Sequence, residues 1–237
     1  MGFAQQARIA GTATVSQASA SDRSTFIRKT YAHLAGAIAG FVALEYVLLH
    51  MSFTPKLITA MVGTRYSWLV VLGLFMAVGW IADKWALTSK SRGMQYAGLV
   101  LYVIAESVIF LPLLYMAAYM TSGDAIPAAG IVTLGLFAGL TGTVFITKKD
   151  FSFMRTALTV GSFAALGIIV VSILFGFNLG SLFSIAMVVL AGGYILYYTS
   201  NVMHKYRTDQ YVAASLALFA AVALMFWYIL LLFMRRD

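Results

Sequence analysis

Residues 184–209 read SIAMVVLAGGYILYYTSNVMHKYRTD, an apolar helix that runs without a break into aromatic, amide and basic side chains. At helical spacing Tyr194, Tyr197, Tyr198, Asn201, His204 and Lys205 recur every three or four residues, so they share one face. The opposite face is Val, Leu, Ile and Met. This is the pattern of a membrane span that ends in an aromatic belt with cations at the water boundary. The same end is a candidate gate or partner-binding face, carried by Tyr194, Tyr198, Asn201 and His204.

The rest of the chain has the same character. Of 237 residues 62% are hydrophobic, 10% are charged and three are proline, which leaves too few polar side chains to clothe a water-soluble globule. No barrel-like alternation is present, so the spans are helices of about 20 apolar residues each. Seven segments qualify, at 31–51, 66–82, 96–119, 125–146, 156–177, 181–203 and 211–234. The expectation is an all-α membrane protein with seven transmembrane helices in one domain, residues 25–237, surrounded by the lipid bilayer. The second segment is the shortest, bounded by Arg65 and Asp83-Lys84, with Trp68, Trp80 and Trp85 as interface anchors. The tight link Asn178-Leu179-Gly180 makes the fifth and sixth spans an antiparallel hairpin.

Residues 1–24 are small and polar with no hydrophobic period, and are expected to form a disordered tail. They lack the apolar core of a secretory signal, so the first span is expected to act as its own uncleaved membrane signal. With this tail in the cytoplasm, the inner segments hold twelve Lys and Arg and the outer ones four, namely Lys56, Arg65, Arg235 and Arg236. That asymmetry predicts a multi-pass protein of a bacterial inner membrane with a cytoplasmic N-terminus. An odd number of spans puts the C-terminus outside, and a re-entrant segment would return it. The net charge of +8 is dispersed over short loops and forms no nucleic-acid surface.

Small residues mark places where helices pack closely. Gly36 and Gly40, Gly135, Gly139 and Gly142, and Ala191-Gly192-Gly193 are expected at such approaches, the last with a second use as a flexible point before the tyrosines.

Acidic residues within the spans are Glu45 and Glu106. A charge at mid-bilayer costs about 2.5–3.5 kcal/mol on insertion scales, so such a residue is a functional candidate. Glu106 lies near the centre of the third span, and no Lys or Arg falls in the apolar core of any helix to pair with it. Tyr102 one turn earlier and Ser107 beside it are its expected hydrogen-bond partners. Pro112 frees the Val108 carbonyl at similar depth. Glu106, Tyr102, Ser107 and Pro112 are therefore the candidate proton or ion site, against a reading in which Glu106 is a structural polar contact. Glu45, nearer the outer end of its helix and followed by His50, is expected to reach the interface by snorkelling.

Catalysis has little support. No HExxH, GxSxG, phosphate loop or Cys/His cluster is present, and the histidines His33, His50 and His204 sit at span ends. The last span has no lysine for a Schiff base. The absence of cysteine excludes thiolate metal sites and disulfides. No enzyme, cofactor or metal centre is expected.

The stretch Ile146-Thr147-Lys148-Lys149-Asp150-Phe151-Ser152-Phe153-Met154 resembles the loop between the fourth and fifth helices of the Bax inhibitor-1 family, the transmembrane Bax inhibitor motif proteins. Tyr198-Thr199-Ser200-Asn201-Val202-Met203-His204 is similar to its bacterial YccA-like branch, as are Tyr211 and the closing Arg235-Arg236-Asp237, and Pro112 falls where the family has a proline. The resemblance runs from about Tyr31 to Asp237. It implies two groups of three helices around a central last helix. It also implies, for pH-sensitive calcium leak members, an aspartate near the end of the sixth helix and another in the seventh. Here Tyr198 occupies the first position and residues 211–234 contain no acid, so that di-aspartate gate is not transferred. The leading expectation is a modulator of membrane-protein quality control acting through a membrane protease. The alternative is a cation leak channel, for calcium or protons, that uses Glu106.

Overall fold

A computed structural model describes residues 14–88, 91–121 and 123–235. Among these residues it contains eight α-helices: α1 Ala20–Leu49, α2 Thr54–Val62, α3 Arg65–Thr88, α4 Arg92–Tyr119, α5 Ala125–Thr147, α6 Met154–Phe175, α7 Ser181–His204 and α8 Tyr211–Met234. All but the short α2 are long and apolar enough to cross a membrane. The seven expected spans are present.

The core forms around α8. Its sequence is apolar on every side, as a helix surrounded by others requires, and Ser215 satisfies its own hydroxyl by donating to the Val212 carbonyl at 2.7 Å. It packs against α1, α3, α4, α5 and α7, and buries Leu218, Phe219, Met225 and Leu230. The last helix is central, as the family resemblance implied.

Several boundaries differ from expectation. Asp83 and Lys84 do not end α3, which runs on to Thr88. Both side chains are exposed, while Ala82 and Ala86 are fully buried against α4. Gly98 makes that crossing: a Cβ there would lie 2.6 Å from the Ala82 carbonyl oxygen and 3.0 Å from the Ala86 nitrogen. The shortest span is accordingly α6, with 22 residues. α2 was not anticipated; Pro55 lies in its first turn, and Thr54 donates its hydroxyl to the Leu48 carbonyl at 2.5 Å.

The expected tail is ordered over residues 14–24. Val15 is fully buried and donates its amide to the Tyr206 carbonyl at 2.9 Å, and Arg23 Nε donates to the Val15 carbonyl at 3.1 Å. Ser19 then caps α1 by accepting from the Asp22 amide at 3.1 Å, so the first span starts at Ala20, well before residue 31. Residues 1–13, with Lys90, Arg236 and Asp237, lie outside the described residues.

The glycine expectations divide. Cβ atoms on Gly36, Gly40, Gly135, Gly139 or Gly142 would meet nothing within 4 Å, so these are not close approaches. Gly192 and Gly193 do pack, with built Cβ atoms 3.4 Å from Leu140 Cδ1 and 2.8 Å from Leu158 Cδ2.

Candidate functional site

A cavity of about 610 Å³ opens between α3, α4, α6, α7 and α8. It exists because α3 and α6 touch only sparsely, while each packs on α4 and α7 respectively. Its lining is mainly apolar and aromatic. The charged residues on it are Glu106 and Arg235, and the lining runs from Tyr102 and Tyr198 to Leu179 and Arg235, where α6 joins α7.

Two separate sequence candidates meet here. Glu106, 4% exposed near the middle of α4, comes together with Tyr102, Tyr194 and Tyr198. Tyr102 lies one turn before Glu106, and its hydroxyl is within electrostatic reach of the Glu106 carboxyl. Its ring rests between Phe75 at 6.1 Å and Phe219 at 6.2 Å. Tyr194 stacks on Tyr198 with centroids 5.5 Å apart, and its hydroxyl lies 2.8 Å from Ser162 Oγ and donates to the Leu158 carbonyl at 3.3 Å.

Four candidates fall outside the cavity. Ser107 donates to the Val103 carbonyl of its own helix at 3.0 Å and does not serve Glu106. Pro112 is buried, but six residues place it roughly 240° around the helix from Glu106. Asn201 is buried elsewhere with its Oδ1 unpartnered, and His204 Nδ1 lies 3.0 Å from the Ser200 carbonyl.

Glu45 corrects an expectation. It is 4% exposed, not snorkelling, and neither carboxyl oxygen has a hydrogen-bond partner among the described residues. It belongs to the inward stripe Phe26, Thr30, Leu34, Ala37, Phe41, Glu45 of α1, a spacing visible in the sequence. Phe41 packs edge-on against Phe110 at 5.1 Å, and Glu45 lies within electrostatic reach of Glu106. Asp83, at the far side of the tyrosines, lies within electrostatic reach of Tyr102, Tyr198 and Tyr206.

The two motif stretches also meet. Ser200 accepts the Phe151 amide at 2.9 Å and reaches Asp150 Oδ1 at 3.3 Å, which ties the α5–α6 loop to α7. The Ser152 amide donates to Asp150 Oδ1 at 2.8 Å, and this backbone bond above all holds the Asp150 carboxyl below its ordinary range.

The chain has counterparts among known sequences. Residues 23–237 match the family model described as inhibitor of apoptosis-promoting Bax1. An uncharacterized protein of Pseudomonas aeruginosa is 28% identical over 210 residues, covering 87% of both chains. A Vibrio cholerae protein described as an uncharacterized membrane protein is 27% identical over 76% of this chain and 82% of its own. The protein called Bax inhibitor 1 in Schizosaccharomyces pombe is 27% identical over 88% of this chain and 75% of its own.

Proposed function

The chain belongs to the Bax inhibitor-1 family of multi-pass membrane proteins, and we propose that this member is a cation leak pathway, for calcium or protons, without an aspartate pair. The observation that supports this reading is the cavity that reaches a carboxyl at the middle of α4. A buried acid at mid-membrane depth is expensive to keep, which makes it a functional candidate. Tyr102 and Tyr198 stand at the inner end of the cavity, and Asp83 lies beyond them. The route is then Asp83, the tyrosines, Glu106 and the cavity, with the tyrosine pair as its closed section.

The face bearing Lys29, Arg92, Lys148 and Lys205 is taken as cytoplasmic and the membrane as a bacterial inner membrane. Ten of the thirteen described Lys and Arg lie at that face, and Lys56, Arg65 and Arg235 at the other. Purified protein in liposomes should carry calcium or proton flux that falls in Glu106→Gln. Unchanged flux removes the site, and no flux in the wild type removes the function.

A second reading, docking of a membrane protease, is favoured by the α5–α6 loop. Lys148, Lys149 and Asp150 are exposed there, Phe153 is 77% exposed, and Ser200 holds the loop in place. Copurification from native membranes that yields no protease would overturn it.

A further inference from the structure

The cavity has far more volume than a bare ion fills. At about 610 Å³ it falls within the roughly 300–1,000 Å³ of pockets that hold drug-sized ligands. Its inner end combines one buried carboxyl, Glu106, with the rings of Tyr102, Tyr194 and Tyr198. Aromatic faces around a carboxylate are a site for a diffuse positive charge, because ring quadrupoles and the acid act with the same sign. The walls above that end, among them Trp68, Phe110 and Trp227, are apolar and would shed water from a bulky ligand.

The opposite charge pattern is disfavoured. Arg235 at the other end is drawn off by the Leu179 carbonyl, to which it donates, and nearby Arg65 donates to the Leu174 carbonyl at 3.1 Å. Each guanidinium thus gives a donor to the end of α6 or to its link, while the Glu106 carboxyl lines the cavity beside Tyr102. A small hydrated metal ion would leave most of the apolar wall uncovered. We infer that the cavity is a binding site for lipophilic organic cations, with Glu106 as counter-ion and Tyr102, Tyr194 and Tyr198 as its aromatic cage. The site does not depend on conduction, since binding is read without flux.

Tetraphenylphosphonium and tetraphenylborate have the same size and shape and opposite charge, so together they separate charge recognition from apolar partition. Full-length protein in nanodiscs, with empty nanodiscs as blank, should bind the phosphonium saturably, one per chain, with quenching of tryptophan fluorescence. The borate should bind weaker by on the order of 100-fold, and Glu106→Gln should weaken the phosphonium by a similar factor. Glu106→Asp, which keeps the charge, should restore most of the affinity. No saturable phosphonium binding, or borate binding as tight as phosphonium in the wild type, overturns the site, and that comparison needs no variant. Phosphonium binding unchanged in Glu106→Gln also overturns it. A protein that binds the phosphonium and carries no flux keeps this site and loses the leak function.

Discussion

Ser200 Oγ accepts the Phe151 amide at 2.9 Å across 49 residues of sequence, and so joins the end of α7 to the loop that follows α5. That hydroxyl is fully buried on α7, and it is what holds an exposed loop in one arrangement. Ser200→Ala should lower stability by about 1 kcal/mol, the net worth of such a bond, through an unpaired Phe151 amide. Hydrogen exchange at Phe151 should quicken in the same variant; an unchanged rate would show that the loop is held by something else.

Asp150 adds a pH dependence to the same loop. Its carboxyl is held below the ordinary 3.8 by the Ser152 amide. A depressed carboxylate stabilises the fold above its ordinary value, and the contribution is lost as pH falls below 3.8 through the lowered one. Thermal midpoints of wild type and Asp150→Asn should therefore converge as pH drops from about 6 to about 3. A gap of constant size would refute the assignment.

Glycines predict opposite outcomes in the same protein. Gly98→Ala would press a methyl against the Ala82 carbonyl and should cost about 1–3 kcal/mol by overpacking. Gly139→Ala meets nothing within 4 Å and should be neutral, or stabilising by up to about 1 kcal/mol through helix propensity. Unfolding in detergent compares the two directly, and equal effects would mean that α3 and α4 are not in contact as described.

Glu45 offers a test of stability against function. Both its carboxyl oxygens are buried without partners among the described residues, a state that costs about 1–3 kcal/mol in mutational series. Glu45→Leu should raise the unfolding free energy by a comparable amount. A fall instead would show that the carboxyl holds a cation or proton that supports the fold.

Most of the fold was legible because apolar length and flanking charge suffice to locate a membrane helix. Seven spans emerge from that pattern alone, and the central last helix from the family resemblance. The ends of helices were less legible, since Asp83 and Lys84 look like a boundary when only their polarity is read, and Ala82 and Ala86 between them carry the packing. Gly98 shows the limit for close approaches: it has no small neighbour at motif spacing, whereas the glycine runs of α1 and α5 have the spacing and no partner. The site was half legible. Glu106 and the tyrosines stand out by chemistry, but their convergence depends on how α4 and α7 lie across α8. Glu45 was misread because its distance from the helix end was weighed and its place in the inward stripe was not.

The position of α8 carries a consequence for biogenesis. The helix on which five others pack as their common core is the last in chain order, so the earlier spans enter the bilayer before the surface they pack on exists. Completion of the core is then a late event, after Tyr211 emerges, although α3 and α4 can pack on each other before it.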